Sequence, residues 1–261
     1  MGKVYVGTSG YSYKDWCGTF YPEDLPSKDM LRYYAKVFNC VELNFTYYRI
    51  PGPSTIAGMI KNTPPGFQFT VKANEATTHQ QDPTVLDAFK KAIEPAAQAD
   101  ELAGVLCQFP YSFKNTEQNR AYLADLARDL ADYTVIVEFR NDSWIQPAIF
   151  EFLRAGNLCY CSVDEPRMRG LVPPVAKATG NVAYVRFHSR DASKWYAKDK
   201  DRYDYLYTKE EMSEWVPKVR ELDSEAEKTY IFFNNCHAGS AAVNATEFKQ
   251  MLAELGLLAE E

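Results

Sequence analysis

The chain has 261 residues, 46% hydrophobic and 25% charged, which suits one large globular domain and excludes a disordered chain. Its net charge of −6 argues against a uniformly basic coat for nucleic acid. No apolar run approaches the roughly 20 residues of a membrane span, the six cysteines form no Cys-x-x-Cys pair, and the first residues lack a signal-peptide profile; a cytoplasmic protein with free thiols and no membrane contact is expected.

In chain order, short apolar runs alternate with segments of helical periodicity. Val4–Thr8 precedes Ser27–Phe38, whose Met30, Leu31, Tyr34 and Val37 form one stripe. Val41–Phe45 precedes a short helix at Ser54–Lys61, and Phe67–Ala73 precedes Thr84–Ala99. Val105–Phe109 precedes Thr116–Leu130, and Thr134–Phe139 precedes Trp144–Ala155, with Gly156 as its C-cap. Leu158–Val163 leads into Glu165–Thr179, rich in Pro and Gly, where only a short helix is expected. Val182–Phe187 precedes Lys209–Leu222, and Thr229–Phe233 precedes Ala241–Leu255. Eight strand–helix units in about 250 residues are the signature of an α/β fold of the (β/α)8, or TIM-barrel, type. A single such domain is expected over residues 1–261. An open doubly wound sheet is the alternative, and the lack of a Gly-x-Gly-x-x-Gly turn counts against it.

Residues two apart on a strand share a face. In "TVIVEFRNDSW" (134–144), Val135, Val137 and Phe139 face one way; Ile136, Glu138 and Arg140 face the other. If the second set points into the barrel, an acid and a base stand at its C-terminal mouth, where active sites of this fold are built. The same alternation sends Ser9, Glu42 and Asn44, Lys72, Gln108, Ser162 and Asp164, Arg186 and His188, and Asn234 inward. Buried charges must be paired or used. One reading is a salt-bridged plug in which Glu42, Glu138 and Asp164 balance Lys72, Arg140 and Arg186; the other is a polar ligand pocket.

Several blocks resemble a known family: "VGTSGYSYKDWCGTFYP" (6–22), "VELNFTYYRIP" (41–51), "FTVKANEATTH" (69–79), "VLCQFP" (105–110), "VEFRNDSW" (137–144), "YVRFHS" (184–189) and "FFNNCHAGSAAVNA" (232–245). Together they resemble the YecE-like family, the domain-of-unknown-function family numbered seventy-two. The resemblance implies a TIM barrel and brings no activity. Where the family leads one to expect Gly after the seventh-strand His, this chain has Ser189-Arg190, which could add positive charge there.

The preferred reading is an enzyme, a hydrolase or isomerase, acting on a small anionic, phosphorylated sugar- or nucleotide-like ligand. Lys72, Arg140 and Arg186 would hold the anion, helped by the turn at Gly239-Ser240 feeding a helix N-terminus. Glu138 and Asp164 would move protons, with His188 as a switchable third group. Gln108, Asn44 and Asn234 would orient the ligand, and Glu42, Tyr11 and Trp144 would complete its surroundings. Aromatic residues crowd the same rim, including Tyr47, Tyr48, Trp195, Tyr196 and Tyr203, and the long loop after the seventh strand is a candidate lid. No cofactor is expected. A divalent metal held by His188, Glu138, Asp164 and Glu42 for phosphodiester hydrolysis is the alternative, as is a noncatalytic protein binding a small ligand or nucleic acid. Oligomeric state is left open.

Overall fold

The β-branched and aromatic runs form eight strands: β1 (Lys3–Thr8), β2 (Cys40–Leu43), β3 (Gln68–Lys72), β4 (Leu102–Gln108), β5 (Val135–Glu138), β6 (Leu158–Asp164), β7 (Val182–Phe187) and β8 (Lys228–Phe233). In the computed structural model, which describes residues 2–196 and 200–258, they form one sheet in the order β1-β8-β7-β6-β5-β4-β3-β2. Every pairing is parallel. The ends meet at a parallel bridge between Ser9 and Glu42, where the Gly10 N–H donates to the Glu42 carbonyl (2.8 Å). The sheet is therefore a (β/α)8 barrel.

The β1–β2 seam is made by a side chain as much as by backbone. The Tyr34 hydroxyl accepts from the Thr8 N–H (2.9 Å) and donates to the Cys40 carbonyl (3.0 Å). Gly7 leaves room for it: a Cβ there would fall 2.5 Å from the Cys40 oxygen and 3.0 Å from the Tyr34 hydroxyl.

Ten α-helices run along the chain: α1 (Met30–Tyr34), α2 (Phe45–Tyr48), α3 (Pro53–Ile60), α4 (Glu75–Thr78), α5 (Leu86–Gln98), α6 (Glu117–Asp129), α7 (Pro147–Ala155), α8 (Lys209–Ser213), α9 (Val216–Glu225) and α10 (Ser240–Glu254) among the described residues. The longer ones cover the sheet, burying residues such as Phe89, Leu123, Leu153, Val219 and Phe248 against its outer face. After β6 no helix forms; the Pro- and Gly-rich stretch 165–179 crosses as irregular chain. No helix among the described residues is long and apolar enough to cross a membrane.

The period-of-two reading holds for seven strands. Register puts Gly7 level with Phe232 and Arg186, and Lys72 level with Leu106 and Ile136, all on the inner face. On β6 the phase is opposite to expectation. Cys161 is level with Tyr184 and Val163 with Arg186, so these two face inward, while Asp164 is level with the outward Phe187. Asp164 is buried behind the sheet. It accepts from Trp215 Nε1 (2.6 Å), the Tyr207 hydroxyl (3.0 Å) and both Nε and Nη2 of Arg190 (2.9 and 2.8 Å). Four donors satisfy a carboxylate there, so its outward position costs little. Arg190 is thereby spent on Asp164 and Glu214 and adds no charge to the mouth.

Asp164→Ala would strand the Trp215 and Tyr207 donors and uncouple Arg190, so we expect a loss of about 3–5 kcal/mol. The check is the midpoint of chemical unfolding, with ligand binding at the mouth left intact.

Candidate functional site

At the C-terminal ends of the strands, five side chains from four strand ends form a ladder of alternating charge. Arg140, just past β5, reaches Glu165 (Nη1–Oε2 2.9 Å) and Glu138 (Nη2–Oε1 2.7 Å). Arg186 on β7 reaches Glu138 (Nη1–Oε2 2.5 Å) and Glu42 (Nη2–Oε1 2.7 Å). Glu42 also accepts from the Tyr184 hydroxyl (2.8 Å) and Asn44 Nδ2 (3.0 Å). The carboxylates and Arg186 are essentially inaccessible to solvent. Buried ions persist only when geometry and extra hydrogen bonds offset desolvation, and the ladder supplies both. Plug and pocket thus coexist: the plug is the floor, with Glu165 where Asp164 was expected and Lys72 outside the ladder.

The ladder sets protonation. Burial alone would raise the Glu138 pKa, but Arg140 and Arg186 outweigh it and hold the carboxyl well below its usual range. His188 lies 3.3 Å from Glu138 (Nε2–Oε1), yet burial and then Arg140 hold its pKa well below the usual imidazole value. With Asn234 Nδ2 donating to His188 Nδ1 (3.0 Å), the neutral ring carries its proton on Nε2, toward Glu138. Three acids face two guanidiniums, and the excess appears on Glu165. Burial, with Glu138 nearby, raises its pKa to about 7 against the pull of Arg140. Lys72 shows the reverse: burial, then Arg186, lowers its pKa to about 7. Its ammonium donates to Gln108 Oε1 (2.9 Å) and sits 4.4 Å from the Tyr47 ring centre.

Above the floor opens a cavity of about 790 Å³. Asn44, Lys72, Gln108, Arg140, Arg186 and Asn234 line it, in keeping with the alternation, as does Tyr11 from the loop after β1. Glu42, Glu138 and His188 lie just beneath. Gly10 turns the chain over the mouth from β1 with φ of +89°, a region that favours glycine; a Cβ there would fall 2.5 Å from the Tyr13 hydroxyl. The charged side chains on the wall are Lys72, Arg140, Arg186 and Arg202 against one acid, Asp15. Of the seven exposed large hydrophobic side chains among the described residues, the five aromatic ones (Phe45, Tyr48, Tyr111, Tyr196 and Tyr203) all border this cavity. Trp195 closes one side, with Arg202 at 4.5 Å and Arg140 at 5.3 Å from its ring centre. Lys198 and Asp199 of the expected lid lie outside the described residues.

Three expected ligand contacts lie elsewhere. Trp144 is fully buried on the outer side of β5, stacked on Phe139 at 4.3 Å, with its Nε1–H donated to the Phe113 carbonyl (2.6 Å). The turn at Gly239-Ser240 packs on Thr19, which would lie 2.9 Å from a Cβ at Gly239, and the Ala238 N–H already donates to Asp15 (3.1 Å). Asp15 thus meets the turn that precedes α10, and neither Gly239 nor Ser240 lines the cavity. Asp164 is behind β6, as described. Sequence reasoning missed Glu165 and Arg202. The first was available from the other phase of β6, where Cys161, Val163 and Glu165 share a face. The second sat in a mixed-charge loop with no periodicity to mark it. Among the described residues, no group of three or more His, Cys, Asp or Glu side chains is placed to hold a metal ion.

Two stability predictions follow from the ladder. Glu138→Gln leaves two buried guanidiniums short of a carboxylate and should cost about 3–5 kcal/mol in urea unfolding. Glu165 is protonated more readily in the folded state, so its share of stability is full below its ordinary value of 4.5 and is lost as pH rises to about 7. The unfolding free energy of the wild type should therefore fall over that interval, relative to Glu165→Gln, by about 3 kcal/mol. The difference between the two pH profiles cancels His188, whose depressed pKa acts in the opposite direction.

The match to the family described as "Protein of unknown function DUF72" runs over residues 5–260. UPF0759 protein YunF of Bacillus subtilis (strain 168) is 32% identical over 269 aligned residues, spanning 95% of this chain and 94% of YunF. The crystal structure of a DUF72 family protein (TM1631) from Thermotoga maritima MSB8 superposes with a TM-score of 0.90 at 42% identity, over 96% of this chain and 99% of that one. Another, EF0366 from Enterococcus faecalis V583, gives 0.87 at 27% identity, over 99% and 97%. With the same barrel, end to end, and a family match over nearly its whole length, this chain belongs to the DUF72 family.

Proposed function

We propose that the cavity at the barrel mouth binds a small anionic ligand that carries a ring, a phosphorylated sugar or a nucleotide, and that the protein is an enzyme acting on it. The observation that carries this reading is the wall's charge. In a chain of net charge −6, the cavity presents four basic side chains and one acidic one. The carboxylates that balance Arg140 and Arg186 lie beneath the wall, while the guanidiniums themselves border the cavity. Planar guanidiniums match a phosphate.

The aromatic rim supplies the second half. Flat rings stack on bases and on the apolar faces of sugars. The cavity volume, about 790 Å³, is that of a small-molecule site. A nucleic-acid strand would need an extended basic groove, so a mononucleotide or sugar phosphate is the better occupant. Glu138, fixed as a carboxylate, and neutral His188 brace the floor; proton transfer falls to Lys72, the wall group with a pKa of about 7.

The test is calorimetry and thermal shift with sugar phosphates and nucleotides, each beside its unphosphorylated form. We expect the phosphorylated members to bind, more weakly at high salt, and Arg202→Ala to weaken them about tenfold, or about 1.4 kcal/mol. Equal affinity for the neutral forms, or indifference to Arg202→Ala, would overturn the proposal.

A further inference from the structure

We infer that Lys72 is an imine-forming amine, and that the substrate is a phosphorylated aldehyde or ketone whose carbonyl carbon becomes bonded to its Nζ. This rests on the reading of the cavity as a phosphate-binding site and narrows its substrate class.

The geometry separates Lys72 from the other cations. Arg140 and Arg186 are each clamped by two carboxylates. Lys72 donates instead to the neutral Gln108 amide oxygen, and among the described residues no carboxylate lies within ion-pairing distance of its Nζ. Its stem rises from the end of β3 and its side chain lines the cavity. A lysine kept only to hold an anion gains nothing from burial beside two arginines, since burial and like charge both favour the neutral amine. The Tyr47 ring favours the cation, and Glu42 and Glu138 do the same from beneath; burial and the arginines prevail, with a pKa of about 7. At neutral pH the nucleophilic form is then present in a fraction roughly a thousandfold above that of an ordinary lysine.

The surrounding groups fit the chemistry. Arg202 and Arg140, both packed on Trp195 and both on the cavity wall, take the phosphate. The Nζ lone pair attacks the carbonyl carbon. The new C–N bond forms as the C–O π pair moves to oxygen, which takes a proton from nitrogen. The resulting hydroxyl then leaves as water, taking a second proton, and a C=N bond remains; one water is released, with no change of oxidation state. His79 lines the same cavity with its ring 5.2 Å from that of Tyr47. Burial, Lys72 and Arg140 lower its pKa to about 4, so it is a neutral imidazole able to carry each proton from nitrogen to the departing oxygen.

The experiment incubates the protein with dihydroxyacetone phosphate, and separately with pyridoxal phosphate, in the presence of sodium cyanoborohydride, followed by intact mass and peptide mapping. We expect a single reduced adduct on Lys72, a labelling rate that rises through about pH 7, and its loss in Lys72→Arg, which keeps the charge. Unphosphorylated dihydroxyacetone should label about tenfold more slowly. If the phosphates protect against thermal unfolding but Lys72 stays unmodified, the imine inference falls and the anion site stands. If dihydroxyacetone labels Lys72 as fast as its phosphate, the imine stands and the phosphate reading falls. Labelling spread over the lysines without preference for Lys72, or absent with both phosphates, also overturns the inference.

Discussion

The structure turns on one constraint: charges taken out of water inside the barrel must neutralise one another. Glu165, Arg140, Glu138, Arg186 and Glu42 meet that constraint in a line, each arginine between two carboxylates. The line crosses the barrel from the β6 side to the β2 side, so it ties together strands far apart in sequence. Apolar layers lie below it, where Tyr5 stacks on Tyr230 at 4.8 Å. Above it the basic groups reach the cavity. The ladder therefore does two jobs at once: it closes the core and decides which charges remain for a ligand. Such an arrangement is weak as a source of stability but strong as a device for fixing side-chain positions.

Because three carboxylates meet two guanidiniums, the ladder is not electrically closed. Burial, with Glu138 nearby, makes Glu165 reluctant to ionise, while burial, with the two arginines nearby, makes Lys72 reluctant to be protonated. Both groups titrate near neutrality because burial disfavours the charged form of each. Only Lys72 lies on the cavity wall, so only its amine can meet a ligand. Glu165 instead accepts from the Val172 N–H (3.0 Å) and anchors the irregular chain after β6. Burial around the ladder thus acts both on an amine of the wall and on a loop beneath it.

The barrel was legible in the sequence because each strand announces itself twice, by apolar content and by the alternation that turns polar near its end. Seven strands could be phased from that alternation alone, since Glu42, Lys72, Gln108, Glu138 and Arg186 oppose unbroken aliphatic or aromatic faces. On β6 the rule failed for a physical reason. A polar residue on the outer face of a strand is normally excluded by the helices, but Asp164 finds Tyr207 and Trp215 there, 43 and 51 residues onward. No local pattern carries that information. Trp144 failed similarly: an aromatic residue beyond a strand end reads as rim until its packing partner, Phe139, is seen on the outer face. The turn before α10 had the composition of an anion site, and only the fold reveals that it packs on Thr19, away from the cavity wall, with Asp15 on the Ala238 N–H.

The Tyr34 hydroxyl at the β1–β2 seam has a mechanical consequence. Elsewhere neighbouring strands pair over three or more residues, but here the backbone makes one bridge, at Ser9 and Glu42, and one side chain spans the two strands between Thr8 and Cys40. A cylinder with one lightly sewn edge yields there first, at lower free energy than the rest of its circumference. The two sides of that edge lead directly to Tyr11 and Tyr13 on one hand and to Asn44 and Tyr47 on the other, all of which border the cavity. Glu42 stands on that edge and is also the last member of the charged floor, so its grip on Arg186 (2.7 Å) holds the edge shut from within and ties access to the cavity to the charges beneath it.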